Sequence, residues 1–203
     1  MARPLEKSLN ISEHKCQALH YNASGVPIVF LHGLSYNIGI WHRIGITELL
    51  IEKHVPFLAL DMPYGLRSQC QPKSRDPDKN VAFVNEAVKT VLGNAVPVVV
   101  GASIGGNIAL RYAAKFSVKG LFLVAPARAL EPELVASYGK FKFSTSIVWG
   151  SEDTVIPSED MRTLAAKLPN AKVLVYEGAS HSAYKDQPER FKRDLLEFYA
   201  KAE

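Results

Sequence analysis

Six short apolar runs recur along the chain: PIVFLHG at 27–33, PFLALDMP at 56–63, VPVVVGAS at 96–103, KGLFLVAP at 119–126, SIVWGSED at 146–153 and KVLVYEGAS at 172–180. A strand of a parallel sheet is covered on both faces, so it reads as a continuous run of Val, Ile, Leu and Phe and not as an alternation. Between the runs, apolar residues fall three or four apart: Val81, Val84, Val88 and Val91; Ile104, Ile108 and Tyr112; Met161, Leu164, Ala165 and Leu168; Phe191, Leu195 and Phe198. That spacing lays one apolar stripe along each helix. Start signals accompany them, with Asp76 before Pro77, Ser158 after Pro157, and Asp186 three residues ahead of Glu189. Strand then helix, repeated, predicts an α/β fold with a mostly parallel sheet flanked by helices. Ahead of it, KSLNIS and KCQALHYN, separated by Glu13 and His14, predict an antiparallel hairpin on the sheet edge.

A chain of 203 residues is long enough for one sizeable core and short for two, which predicts a single domain over 1–203. Apolar residues at 47% and charged residues at 22% exclude a largely disordered chain. The net charge of +4 is spread among acids, with only Lys140 and Lys142 crowded without one, so no nucleic-acid partner is expected. Cys16 and Cys70 stand far apart and in no Cys/His ligand spacing, and both read as plain thiols, with no metal site. MARPLEKSLN lacks the apolar core of a signal peptide and no run is long enough to span a bilayer, so the expectation is a cytoplasmic protein without a membrane partner. The sequence is silent on oligomeric state.

The third run ends in Gly101-Ala102-Ser103-Ile104-Gly105-Gly106, and helical spacing resumes at once. A serine on so sharp a strand-to-helix turn takes a strained backbone and needs glycine on both sides, where side chains would clash. Its hydroxyl then stands above the sheet edge at the positive end of a helix. Gly-x-Gly-x-x-Gly and Gly-Lys-Ser/Thr loops also place glycines at such turns, but Asn107 follows Gly106 and neither spacing fits. The bland reading is a turn that needs small residues for close helix packing.

A serine hydroxyl is a weak nucleophile until a base takes its proton and a third group orients that base. Of the six histidines, His181 alone follows the last predicted strand, in Glu177-Gly178-Ala179-Ser180-His181-Ser182. Trp149-Gly150-Ser151-Glu152-Asp153 closes the strand before it and supplies the acid. Glu152 competes for that role and Asp160, inside the next helix, is a weaker candidate. Gly150-x-x-Asp153-x-x-x-Pro157 favours Asp153 by setting it beyond the strand tip, with Glu152 facing solvent.

From about Pro27 onward these motifs resemble the α/β-hydrolase superfamily, in particular its small serine hydrolases with little or no cap. Serine, then acid, then histidine is that superfamily's order. The resemblance implies Ser103 as nucleophile, His181 as general base and acid, and Asp153 as the group orienting the imidazole. His32-Gly33-Leu34 resembles the family's oxyanion turn and implies the backbone amides of Leu34 and Ile104 as donors, each worth about 3 kcal/mol in the transition state. His32 reads as a support for that turn and Trp41 as core packing. The family's Asp-x-Pro-Gly-x-Gly-x-Ser appears here as Asp61-Met62-Pro63-Tyr64-Gly65-Leu66-Arg67-Ser68, which alters the pocket wall but removes no member of the three. Only residues 127–143 separate the GLFLVAP strand from the next, where relatives insert a lid, so at most one short helix near Glu131 to Tyr138 covers the site.

The expected activity is hydrolysis of small carboxylic esters through an acyl-enzyme, without a cofactor or metal. Leu34, Tyr36, Val155, Ile156 and Tyr184 are the expected pocket lining. Thioester hydrolysis, acyl transfer and cyanohydrin cleavage use the same three residues. A binding module with an idle site is the reading of a different class, disfavoured by the presence of all three.

Overall fold

The computed structural model of the protein describes residues 4–202. Strands β1 (Leu5–Ile11) and β2 (His14–Tyr21) form the expected antiparallel hairpin, turning at Ser12 and Glu13. Then follow β3 (Ile28–Leu31), helices α1 (Gly39–Arg43) and α2 (Ile46–Glu52), β4 (Phe57–Leu60), α3 (Pro77–Leu92), β5 (Val98–Ala102) and α4 (Ile104–Lys115). The remainder is β6 (Gly120–Val124), α5 (Pro132–Tyr138), β7 (Ser144–Gly150), α6 (Ser158–Lys167), β8 (Ala171–Tyr176), α7 (Ala183–Asp186) and α8 (Pro188–Ala202). The eight strands form one sheet in the order β1-β2-β4-β3-β5-β6-β7-β8, parallel from β4 through β8.

Successive residues of each central strand point to opposite faces, and both faces are dry. On one face Val29, Leu31, Leu58, Leu60, Val99, Leu121 and Leu123 pack with Val84 of α3, Ile108 of α4 and Leu164 of α6. On the other, Ile28, Phe30, Phe57, Val100, Phe122 and Val124 meet Trp41 and Leu50 of α1 and α2 and Phe191 and Leu195 of α8. Each such side chain taken out of water contributes about 1.5–3 kcal/mol. Trp41 lies in this second core, its ring 4.9 Å from that of Phe30.

Asp76 caps α3 as its position before Pro77 predicts, accepting from the amides of Asp78 and Lys79. Asp186 does not cap α8: it ends α7, and its carboxylate instead accepts from the amide and hydroxyl of Ser180 at 2.8 and 2.5 Å. Pro188 opens α8 two residues later, where its missing N–H costs nothing. The last apolar run also differs from expectation, because β8 is an edge strand and is only partly buried. Among the described residues no helix is long and apolar enough to cross a membrane.

Cys16 and Cys70 are not separate thiols; a disulfide joins them. At a sequence separation of 54 the pairing has no local signature. The register creates it: β2 runs antiparallel to β4, and beyond β4 the chain continues alongside β2, where Lys15 and Gln71 exchange backbone hydrogen bonds of 2.7 and 3.0 Å.

Candidate active site

Parallel strands present their carboxyl ends on one edge, and everything proposed from sequence lies on loops leaving that edge. The His32-Gly33-Leu34 turn follows β3, Ser103 follows β5, Asp153 follows β7 and His181 follows β8. Because β3 and β5 are neighbours, the turn and the serine are adjacent.

Ser103 has φ 53° and ψ −117°, a conformation unfavourable for an L-residue. The surroundings impose it. Its amide donates to Val124 O at 2.8 Å, and its carbonyl accepts from the amides of Gly106, Ala127 and Asn107 at 2.9, 3.0 and 3.2 Å. A side-chain carbon at Gly101 would meet Gly105 O at 2.5 Å, and one at Gly105 would collide with the Leu31 carbonyl, so both glycines are required by close approach.

The loops after β7 and β8 are stitched together. Gly150 lies so close to the carbonyls of Ala179 and Ser180 that any side chain there would clash. Ser151 N donates to Tyr176 O at 3.0 Å, Glu152 N to Ala179 O at 2.9 Å, and Gly178 N to Ser151 Oγ at 2.8 Å. This brings Asp153 Oδ2 to 2.8 Å from His181 Nδ1, while Asp153 Oδ1 accepts from the amides of Val155 and Ile156 at 2.7 and 2.9 Å. The Asp153 side chain is wholly buried; Glu152 is exposed and turned away. An imidazole donating from Nδ1 to a carboxylate carries its lone pair on Nε2, which lies 3.0 Å from Ser103 Oγ.

The His32-Gly33-Leu34 turn is held from behind. His32 is fully buried, its Nδ1 2.9 Å from Gly33 O and its Nε2 accepting from Met62 N at 3.0 Å. Nδ1 is therefore the protonated nitrogen and donates to Gly33 O, which Tyr36 N also reaches at 3.1 Å. In a trans peptide the carbonyl and the next N–H point in opposite directions, so this anchor turns the Leu34 amide away from His32. The Ile104 amide opens α4, where helical amides lack an acceptor one turn back.

A cavity of about 300 Å³ opens here, lined by Gly33, Leu34, Ser35, Tyr36, Ala102, Ser103, Val155, His181, Ser182 and Tyr184. Of the expected lining residues, Ile156 is absent: it borders a separate cavity with Pro126 and Met161, because its amide is tied to Asp153 and its side chain packs against the core beside α6. Ser35 and Ser182 are additions, and Tyr36 OH and Ser182 Oγ are 3.0 Å apart. Tyr64 does not line this cavity; it is buried, and its hydroxyl donates to His32 O at 2.6 Å. Between β6 and β7, where a lid would be inserted, the chain forms only the short helix α5, and no residue of it lines this cavity. Among the described residues no cluster of His, Cys, Asp or Glu is arranged to hold a metal ion.

A family model described as the alpha/beta hydrolase fold matches residues 26–146, and the chain belongs to that family. Within it, the rat (Rattus norvegicus) protein named "Putative protein-lysine deacylase ABHD14B" is 30% identical over 177 residues, 84% of this chain and 81% of the relative. Protein ABHD14A of Danio rerio is 29% identical over 180 residues, and the chain spans 65% of that relative's length. In three dimensions the chain is similar to a "predicted CIB-like hydrolase" from Thermoplasma acidophilum, with TM-score 0.86, 24% identity and 97% of each chain covered. An esterase from Exiguobacterium antarcticum superposes with TM-score 0.78 at 18% identity, over 92% of this chain and 96% of its own.

Proposed function

We propose that the protein is a serine hydrolase that cleaves small carboxylic esters through an acyl-enzyme on Ser103. One observation carries the reading: a single line of contacts runs from Asp153 through His181 to Ser103 Oγ, at 2.8 and 3.0 Å. His181 Nε2 takes the Ser103 proton as Oγ attacks the ester carbonyl, and returns it to the leaving alcohol. The amides of Leu34 and Ile104 receive the charge that develops on the carbonyl oxygen. Water, deprotonated by the same nitrogen, then releases the acid and restores the hydroxyl. These steps use this chain's own residues throughout.

The name carried by the rat relative supports a second reading, in which the acyl group leaves the side-chain nitrogen of a lysine. The chemistry is the same and the leaving group differs. As to location, a disulfide favours an oxidising compartment over the cytoplasm expected from sequence.

Substrate preference follows from the shallow cover. A long acyl chain gains about 0.8 kcal/mol per methylene only where walls enclose it. With no residue of the β6–β7 connection lining the cavity, kcat/KM on p-nitrophenyl esters peaks at short to medium acyl chains, without a rate jump above the micelle concentration. A maximum at palmitate overturns the small-ester reading; turnover of an acyl-lysine peptide in preference to every ester selects the second.

A further inference from the structure

Among the described residues five large apolar side chains stand exposed: Leu5, Leu34, Leu66, Val96 and Val155. Singly such residues need no explanation, but three of these gather in one place. Leu34 and Val155, 40% and 60% exposed, both line the cavity at Ser103. Leu66, also 60% exposed, adjoins them along the backbone, its amide donating to Leu34 O at 2.8 Å. Apolar surface left in water beside a nucleophile is open to a substrate, and covering it with hydrocarbon is favourable.

Val155 stands on a defined side of the reacting atoms. Its amide donates to Asp153 Oδ1 at 2.7 Å, the other oxygen of that carboxylate lies 2.8 Å from His181 Nδ1, and His181 Nε2 lies 3.0 Å from Ser103 Oγ. The residue is thus tied to the histidine side of the serine. Ile156, next in the chain, packs against the core, whereas the Val155 side chain remains in water at the cavity mouth. In ester cleavage the bond between the acyl carbon and the alcohol oxygen breaks as His181 Nε2 gives that oxygen the proton taken from Ser103. Such a transfer needs the alcohol oxygen within about 3 Å of Nε2. The carbons of the alcohol therefore leave the reacting centre on the side of Val155, while the acyl chain occupies a different corner of the tetrahedral carbon.

We infer that Val155 is a specificity-determining residue for the leaving group: its exposed side chain covers the hydrocarbon of the alcohol, so that the preferred substrates join a small acyl group to an unbranched apolar alcohol longer than ethanol. The inference rests on the ester-cleaving reading above and adds the alcohol half of the substrate to it.

The test uses two pairs of esters below their solubility limits. Hexyl and ethyl acetate differ only in the alcohol; ethyl hexanoate and ethyl acetate differ only in the acid. For each, kcat/KM is normalised to its own rate with hydroxide and measured in the parent and in Val155→Ser, a change at an exposed position that keeps the backbone amide. A fully buried methylene is worth about fourfold in binding and a single wall supplies part of that, so the parent prefers hexyl over ethyl acetate by about tenfold. In Val155→Ser that preference falls to about threefold or less, while the ratio of ethyl hexanoate to ethyl acetate keeps its parent value. A disturbed contact between Asp153 and His181 lowers all three rates together and leaves both ratios alone, so it does not mimic this result. The absence of a hexyl preference in the parent overturns the inference, a result that needs no folded variant. So does a hexyl preference of parent size in Val155→Ser, or a fall in the ratio for the acid pair, which places Val155 beside the acyl group. Each of these leaves the ester reading intact. Turnover of none of the esters by the parent overturns that reading, and this inference with it.

Discussion

The hydroxyl of Tyr64 donates to the backbone carbonyl of His32 at 2.6 Å, in a part of the molecule where both residues are buried. The ring of Tyr64 packs edge-on against that of His32 at 5.5 Å. Two groups therefore brace the His32-Gly33-Leu34 turn: Tyr64 holds the His32 carbonyl, and the His32 ring holds the next one. Tyr64→Phe leaves the His32 carbonyl unanswered, and we expect a stability loss of about 1–2 kcal/mol. If the turn positions the Leu34 amide as proposed, kcat falls about tenfold with little change in KM, since the oxyanion forms only after binding. A rise in KM at constant kcat contradicts the positioning role.

Asp153 and Glu152 are neighbours with different surroundings, one buried against His181 and the other exposed. Asp153→Asn keeps the shape but lets the imidazole adopt the wrong tautomer, and a fall of about 10⁴ in kcat is expected, as for the same change in a serine protease. Glu152→Gln changes kcat less than about threefold. Kinetics of the two variants on one ester decide the assignment; the reverse ranking places the acid at Glu152.

The pH profile of kcat/KM has one limb. Protonation of His181 removes the acceptor for the Ser103 proton, so activity falls on the acid side. On the alkaline side burial, aided by Tyr184 and Asp61, holds the Tyr64 hydroxyl well above the usual tyrosine range, and burial with Tyr36 does the same for Tyr184. A raised tyrosine keeps its proton as pH rises, so neither loses its donor and the profile stays flat to about pH 10. A drop near the ordinary tyrosine range means that one of these hydroxyls is exposed to solvent.

Much of this is legible in the amino-acid sequence. Buried parallel strands announce themselves by composition, and residues placed just past their ends share one edge by topology alone. Ser103, Asp153 and His181 thus come together from three separate stretches. What escaped depends on contacts between distant segments. The Cys16–Cys70 pairing needs the register of β2 against β4, and the brace from Tyr64 needs the loop after β4 folded beneath the oxyanion turn. The Ile156 amide is tied to the Asp153 carboxylate and its side chain borders a different cavity, which spacing cannot reveal. Helices α1 and α2 are five and seven residues long and break at Gly45 with φ 73°, too short for a period to show.

The disulfide ties the hairpin edge to the loop carrying Tyr64. Closing a loop of 54 residues stabilises the fold by about 2–4 kcal/mol, chiefly by restricting the unfolded chain. Reduction is expected to lower the urea midpoint without changing the denaturant slope in proportion, and alkylation of the native protein finds no free thiol. Two reactive thiols in the oxidant-free native protein contradict the pairing.

The proposed chemistry turns on Ser103 as the nucleophile. Incubation with a fluorophosphonate probe, followed by peptide mass mapping, tests it most directly. One phosphonylated residue, Ser103, is expected in the parent protein, with loss of both labelling and ester hydrolysis in a Ser103→Ala variant that melts like the parent. Labelling at Ser35, Ser180 or Ser182, or ester hydrolysis that survives Ser103→Ala, contradicts it.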